Sequence, residues 1–331
     1  MNLGSILLDS LRSAVSINAA VYALAGVGLN LQFGYGGLLN FGLVAFMLAG
    51  AYGVGIAVVE LGWSMWMGLA LGVMLAVGVG LLFGLPSLRL RADYLAIVTI
   101  ATGEILRLFV RSGPLQSEVN GVQIGGVYGY DGFANAFFSV NPYPAGSYGF
   151  GGFRFSERGI WVLTVAWVLV AVFSFVVWWL MRSPWGRTLR AVRDDEDAVR
   201  SLGKNVFNLK LQTLVLGGVI AALAGMLQAV DQQAIRPDYF RTVVTFTVYT
   251  AVILGGQATI IGPIVGSVIL WFLIQFTDGL LKYLVDTGWL NLASDQISGT
   301  RFALVGLALV LLVVFRPQGI VGKKGESFLD A

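Results

Sequence analysis

Long apolar segments separated by short polar ones run along almost the whole chain. A helix needs roughly 20 mostly apolar residues to cross the hydrocarbon core of a bilayer, and nine segments meet or approach that length. They predict an all-α polytopic membrane protein, a single domain over residues 1–331 with about eight or nine transmembrane helices. The segments are Ser13–Leu31, Leu38–Val59, Ser64–Leu85, Tyr94–Val110, Ile160–Met181, Leu209–Val230, Val243–Leu254, Ile260–Leu281 and Thr300–Phe315.

Glycine interrupts this pattern in two places. The second segment begins with GYGGLLNFG over residues 34–42, and the short seventh segment joins the eighth through LGGQATIIGP over residues 254–263. We therefore expect broken or re-entrant helices within residues 32–59 and 243–263. Backbone groups freed at such breaks must be buried in protein or line a cavity, so paired breaks point to a substrate route. Close helix packing by small residues is the alternative.

A long charged stretch at residues 183–210 separates the fifth and sixth segments. Ser183 followed by Pro184 is a typical helix start, and Gly203 is a typical helix stop. Apolar residues recur between them every three or four positions, which predicts one amphipathic helix lying across the membrane face, with its apolar side free for lipid or a partner. The apolar positions are Trp185, Leu189, Val192, Val199 and Leu202.

The polar face of this predicted helix carries charges of both signs. Three i,i+4 ion pairs are possible, Arg190–Asp194, Arg193–Asp197 and Glu196–Arg200. A solvated basic loop would explain the arginines, but the acidic run gains nothing from anionic lipid. We therefore interpret the segment as a docking helix for a soluble partner. Its docking residues are expected to be Trp185, Arg187, Arg190, Arg193, Asp194, Asp195, Glu196, Asp197 and Gly203.

The distribution of Lys and Arg predicts the orientation, because cytoplasmic loops are enriched in both. This rule places residues 183–210 and the tail at 316–331, which includes Lys323 and Lys324, in the cytoplasm. Arg89 and Arg91 agree with it. The N-terminus and the loops at residues 112–159, 231–242 and 286–295 then lie outside. The first of these loops is rich in Gly and aromatic residues, so it either meets an external partner or rests at the membrane interface.

Composition excludes several classes of function. The 331 residues are 57% hydrophobic and 12% charged, with neither Cys nor His. Zinc sites with Cys or His, haem ligation by His, disulfides and Ser-His or Cys-His catalysis are therefore impossible. The net charge of +3 is too small to suggest a nucleic-acid partner. The chain has no G-x-x-x-x-G-K-[ST] motif, so any ATP is bound by another chain.

The fourth apolar segment carries two charges, Glu104 and Arg107, spaced i,i+3. A charge at the centre of a membrane span costs roughly 2.5–3.5 kcal/mol, so this pair should face the bundle. It either gates a path, contacts a substrate amino group, or forms a structural ion pair near the outer interface. With the polar and glycine residues of the broken segments, it completes a candidate route: Asn30, Gly36, Gly37, Asn40, Leu43, Thr99, Glu104, Gln228, Gly255, Gly256 and Gln257.

Five blocks of the sequence resemble the branched-chain amino-acid ABC transporter permeases of the LivM type, within the LivHM permease family. Among them are LNLQFGYGGLLNFGLVAFMLAGAY, TAVILGGQATIIGPIVGSVIL and FRPQGIVG. The blocks fall in the family order and cover essentially the whole chain, at residues 29–52, 93–110, 183–229, 250–270 and 315–322.

The resemblance implies a permease subunit of an importer in a prokaryotic plasma (inner) membrane. It implies a LivH-like second permease, two cytoplasmic ATP-binding subunits that carry the ATP and Mg²⁺, and an external solute-binding protein. By position, residues 187–203 would contact an ATPase. One departure is Leu43, where many relatives have His, which leaves the cargo open between branched-chain amino acids and urea or short amides.

Two other classes of function are weaker. An ion-coupled secondary transporter needs intramembrane acids or unwound sites for its driving ion, and Glu104 is the only clear acid within the apolar segments. A membrane-embedded enzyme would need catalytic pairs that this sequence does not supply. The chain itself is therefore expected to perform no chemistry and to hold no cofactor or metal.

Overall fold

The computed structural model describes residues 3–90, 92–113, 117–119, 122–149, 154–290, 293–316 and 318–322. Arg91, Lys323 and Lys324, used above for orientation, lie outside the described residues. Helices account for most of the described chain: α1 Leu3–Ala14, α2 Ile17–Asn30, α3 Leu43–Gly55, α4 Met65–Ser87, α5 Ala92–Arg111, α6 Asn135–Ser139, α7 Glu157–Arg182, α8 Pro184–Asp194, α9 Glu196–Ser201, α10 Val206–Gln232, α11 Thr242–Gly255, α12 Gly262–Asp286 and α13 Ser294–Phe315.

The predicted polytopic all-α fold is confirmed. Each of the nine apolar segments coincides with one of these helices. Within the described residues, six helical stretches are long and apolar enough to cross a membrane: Leu3–Tyr35, Leu43–Glu60, Met65–Ser87, Glu157–Arg182, Val206–Gln232 and Gly262–Asp286. The first is kinked at residues 15–16, where Ser16 leaves helical geometry and caps α2.

Helices α2, α3 and α10 form the centre of the bundle, and nearly every side chain of α3 is buried. Small residues allow this close packing. A side chain at Gly28 would collide with the backbone of α10 at Gly217, and one at Gly50 would collide with Ala222. In contrast, α4 and α7 expose most of their apolar surface, which suits contact with lipid.

The glycine-rich breaks lie between helices. Helix α2 continues through a π-helical turn, Leu31–Tyr35, and the chain then stays non-helical until α3 begins at Leu43. The predicted second segment therefore starts five residues too early. The 14-residue α11 ends at Gly255, and α12 begins at Gly262, as expected for a short helix joined to its neighbour through a break.

The charged insert is two helices, so the prediction of one continuous helix is wrong. Helix α8 starts as predicted, because Ser183 Oγ accepts a hydrogen bond from Gly186 N. The helix stops at Asp195, which is extended with φ −153° and ψ 103°. Asp195 Oδ1 accepts hydrogen bonds from the N–H groups of Asp197 and Ala198, 3.0 Å each, and so caps α9. Asp in a helix interior competes with the backbone in this way.

Two of the loops predicted to be external, residues 112–159 and 231–242, meet at one end of the bundle, here called the outer end. Five short strands lie within residues 112–159, and four of them form two antiparallel pairs, β1 Ser117–Val119 with β2 Val122–Ile124 and β4 Ser147–Tyr148 with β5 Phe155–Ser156. A third antiparallel pair joins β3 Tyr130–Asp131 to β6 Ala234–Ile235 in the connection after α10. Arg236 strengthens it through an ion pair to Asp131 at 2.9 Å.

Tyr130 anchors the outer end. Its side chain is fully buried, and its hydroxyl donates a hydrogen bond to the Glu60 carboxylate. Burial, with the Glu60 carboxylate beside it, raises the pKa of Tyr130 well above its usual range. The phenol therefore stays neutral and keeps donating at any physiological pH. The opposite end of the bundle, which holds residues 183–210, is called the inner end.

Candidate functional site

The apolar face of the docking segment, residues 183–203, packs on its own bundle. Leu189, Val192 and Val199 are buried, and Trp185 Nε1 donates to Gln212 Oε1 at 2.8 Å. The expectation that this face is free for lipid or a partner is therefore wrong for most of its length. Leu202, which is 79% exposed, is the exception.

The surface that the docking segment offers outward is charged. Its exposed side chains carry both signs: Arg187, Arg190, Asp194, Asp195, Asp197 and Arg200. The predicted pair Glu196–Arg200 is confirmed at 2.8 Å, and Arg200 also pairs with Asp197 at 2.8 Å. Lys210 of α10 pairs with the other oxygen of Glu196. Exposed pairs of this kind contribute little stability, so their value lies in the pattern shown to a partner.

Two arginines of α8 bind backbone carbonyls. Arg190 Nη2 donates to Met181 O at the end of α7, at 2.7 Å. Arg193 Nη1 donates to Gly34 O in the π-helical turn after α2, at 2.6 Å. Neither contact was predicted, because the pairs expected from i,i+4 spacing were Arg190–Asp194 and Arg193–Asp197. The sequence pattern along one helix does not reveal a carbonyl left free on another.

Buried amides connect the broken helices at the inner end. Asn30, only 2% exposed, donates to Thr259 O at 2.7 Å and accepts from Ala258 N at 2.9 Å. Gln32 donates to Leu214 O of α10 at 2.8 Å and accepts from Asn40 Nδ2 at 2.9 Å. We call the π-helical turn with these partners, residues 30–42, 214 and 256–261, the inner-end node. Gln32 was not among the predicted route residues, although an amide inside an apolar run was a usable signal.

The start of α3 is fixed by the same kind of contact. Asn40 Oδ1 accepts from Gly42 N at 2.9 Å, and Thr99 Oγ1 of α5 accepts from Phe41 N at 3.0 Å. Leu43 is fully buried in the first turn of α3. Within this chain the side chain of Leu43 therefore lies in the core of the bundle.

The route residues Gly36, Gly37, Gly255, Gly256 and Gln257 lie in or beside the inner-end node, whereas Gln228 lies on α10. Gly36 and Gly37 line a cavity of about 210 Å³ at the inner end, beside Arg193 and Lys210. Gly255 and Gly256 make close backbone contacts with Gly262 and with residues 319–322, so close packing accounts for these two glycines. Gln228 and Gln257 each have a side-chain oxygen with no hydrogen-bond partner among the described residues.

Glu104 and Arg107 form the expected pair, at 2.5 and 3.0 Å. Arg107 is buried and also reaches Asp238 of the connection between α10 and α11, at 3.1 Å. Arg111 and Arg241 bind the same carboxylate, at 3.4 and 3.2 Å. The pair therefore belongs to a cluster that fastens the outer end of α5 to that connection, whereas Thr99, earlier on α5, contacts the inner-end node.

A second acid within the apolar segments was not predicted. Asp278 of α12 is 9% exposed and pairs with Lys282 at 2.6 Å and with Arg301 of α13 at 3.1 Å. Glu104 is thus not the only acid within the apolar segments. Asp278 is neutralised by two cations, as buried charges in a membrane bundle must be.

Comparison with known proteins places the chain in a family. Residues 11–315 match the model of the family described as branched-chain amino acid transport system / permease component. The high-affinity branched-chain amino acid transport permease LivM of Salmonella typhimurium strain LT2 is 31% identical over 316 residues, 91% of this chain and 68% of the relative. The probable LivM of Methanocaldococcus jannaschii is 26% identical, covering 92% and 91%.

A relative that matches a shorter part of the chain is named for a different cargo. The autoinducer 2 import system permease LsrC of Escherichia coli O9:H4 strain HS is 29% identical over 160 residues, 46% of this chain and 42% of the relative.

Proposed function

We propose, because this chain belongs to the family of branched-chain amino acid transport permease components, that it carries branched-chain amino acids inward across a prokaryotic plasma membrane. Members of the family are transport components rather than enzymes, and they work with ATPases, a second permease and a binding protein. The observation that carries the proposal is the family match over residues 11–315, which includes the docking segment and both breaks.

The energy for transport would come from two cytoplasmic ATPases. ATP binding would draw the ATPases together and move the docking segments of the two permeases, which opens the route outward. ATP hydrolysis would then return the transporter to its starting conformation. The charged outer surface of α8 and α9 suits docking of a soluble chain, because complementary charges select a partner and its register. This chain supplies no nucleotide motif of its own.

The second permease, a LivH-like chain, would pack against α5. This helix exposes apolar side chains such as Ile97, Ile105 and Phe109, and it also carries Glu104, whose side chain is 40% exposed. A charged side chain on a lipid-facing helix is costly. The exposed face of α5 therefore suits a protein interface or a water-filled route between two permeases, whereas α4 and α7 suit lipid.

Substrate class is tested in proteoliposomes that hold the complete transporter, with its own binding protein outside and ATP inside. Labelled leucine, isoleucine and valine should accumulate, and an excess of unlabelled leucine should abolish the signal. Urea, short amides and autoinducer 2 serve as competitors in the same assay. Competition by urea or an amide with none by leucine would overturn the proposed substrate.

A further inference from the structure

Arg193 connects two parts of the chain that are 159 residues apart. It lies on the docking segment, yet its guanidinium reaches Gly34 O at the carboxyl end of α2. Carbonyls at a helix end have no partner within the helix, and a cation there also complements the negative end of the helix dipole. A charge-assisted hydrogen bond of 2.6 Å in a half-buried place is a firm connection.

The shape of the π-helical turn is fitted to Arg193. Gly37 has φ +65°, a conformation that favours glycine, and a Cβ placed there would lie 3.1 Å from Arg193 Cγ. Gly34 is held equally tightly on its other side, because a Cβ there would lie 2.6 Å from Ala258 N. Any displacement of Gly34 must therefore move its neighbours.

Those neighbours belong to four different elements. Asn30, the residue before the π-helical turn, holds the break between α11 and α12, and Gln32 within the turn holds both α10 and Asn40 before α3. Phe41 continues the connection to Thr99 of α5. The π-helical turn, a feature that often marks functional sites, thus contacts every break that the sequence associates with a route.

We propose that Arg193 is the positioning residue through which movement of the docking segment reaches the inner-end node, by way of its hydrogen bond to Gly34 O. The inference rests on the proposed function and adds the contact that transmits the movement. Arg190, one turn earlier, binds the end of the adjacent α7 instead and has no such role.

The test measures the coupling ratio, the number of leucine molecules imported per ATP hydrolysed, in the complete reconstituted transporter. In R193A the ratio should fall about tenfold, the size expected for losing one charge-assisted hydrogen bond. The ATPases should still co-purify. R193K, which keeps one donor and the charge, should recover part of the ratio. The matched control is R12A, because Arg12 likewise donates to a backbone carbonyl, Arg154 O at 2.5 Å, but lies outside the docking segment and the inner-end node. Its ratio should stay within about twofold of the unaltered protein.

A disulfide gives an independent test, since the chain has no cysteine of its own. A Cβ at Gly37 would lie 3.6 Å from Arg193 Cβ, inside the roughly 3.5–4.5 Å that a disulfide spans. The double variant G37C/R193C should therefore oxidise readily. Its coupling ratio should be higher when oxidised than after reduction, because both states carry the same strained residue at position 37 and differ only in the disulfide.

The outcomes separate cleanly. An unchanged ratio in R193A, or loss of the ATPases from R193A but not from R12A, would overturn the transmission role, the second by making Arg193 a docking residue. Failure of G37C/R193C to oxidise would contradict the juxtaposition itself. If the unaltered complex shows no ATP-dependent uptake at all, the proposed function fails before any variant is compared.

Discussion

At the scale of the residue, polar side chains inside this bundle mostly fasten backbone to backbone. Asn30, Gln32 and Asn40 each bind groups on another element or at a helix start, and each is almost fully buried. In the low dielectric of a membrane protein an unpaired backbone group is expensive. These amides therefore allow the helices to break at the inner end, because they supply hydrogen-bond partners for backbone groups near the breaks.

Asn30 is the most informative single position. In N30A, Ala258 N and Thr259 O lose their partner, and we expect a loss of about 1–3 kcal/mol in unfolding free energy. Thermal unfolding of the detergent-solubilised protein measures it. N208A is the control, because Asn208 is exposed and its backbone N–H, not its side chain, makes the contact seen in the structure. Equal melting temperatures for N30A and N208A would contradict the fastening role.

The sequence left open whether Glu104 takes part in the substrate route or forms a structural ion pair. The contacts of its side chain favour the structural role. Both of its oxygens face Arg107, which is buried. E104Q should therefore lower the melting temperature by a few degrees while leaving the KM for leucine uptake within about twofold. A large rise in KM at unchanged stability would show instead that the carboxylate contacts the substrate.

At the scale of the element, local signals predicted helix starts and stops, and tertiary contacts decided the rest. Ser183 and Pro184 predicted the start of α8, and Gly203, with φ +74°, lies just beyond α9 as expected. The break at Asp195 was not predicted, because the four consecutive acidic residues were interpreted as a charged surface and not as the cap of a second helix. The contact from Arg193 to Gly34 could not be predicted, since nothing in either segment specifies the other.

The cap at Asp195 can be tested directly. D195A should cost about 1 kcal/mol locally, and a six-residue helix cannot persist without its cap and its packing. Hydrogen exchange of residues 196–201 should accelerate about fivefold, while D195N, which can still accept both hydrogen bonds, should stay close to the unaltered protein. D194A is the exposed neighbour that serves as control. Slow exchange in D195A would mean that packing of Val199 alone holds α9.

At the scale of the whole molecule, the two ends of the bundle are built differently. The outer end is closed by short strands and by the arginine cluster around Asp238, whereas at the inner end the docking segment packs on the bundle and Arg193 binds Gly34 O of the π-helical turn. Hydrophobic periodicity predicted the helices that make up the bundle. It could not show which faces meet lipid, because α5 and α4 are both apolar and only the charges of α5 distinguish them.

The central claim is that this chain moves its cargo with energy from ATP hydrolysed on other chains. The most direct measurement is leucine accumulation in proteoliposomes that hold the complete transporter, with ATP inside and either an ionophore or an ATPase-inactive partner subunit. We expect uptake to persist with the ionophore and to disappear with the inactive ATPase. Uptake that survives without ATP hydrolysis and collapses with the ionophore would contradict it.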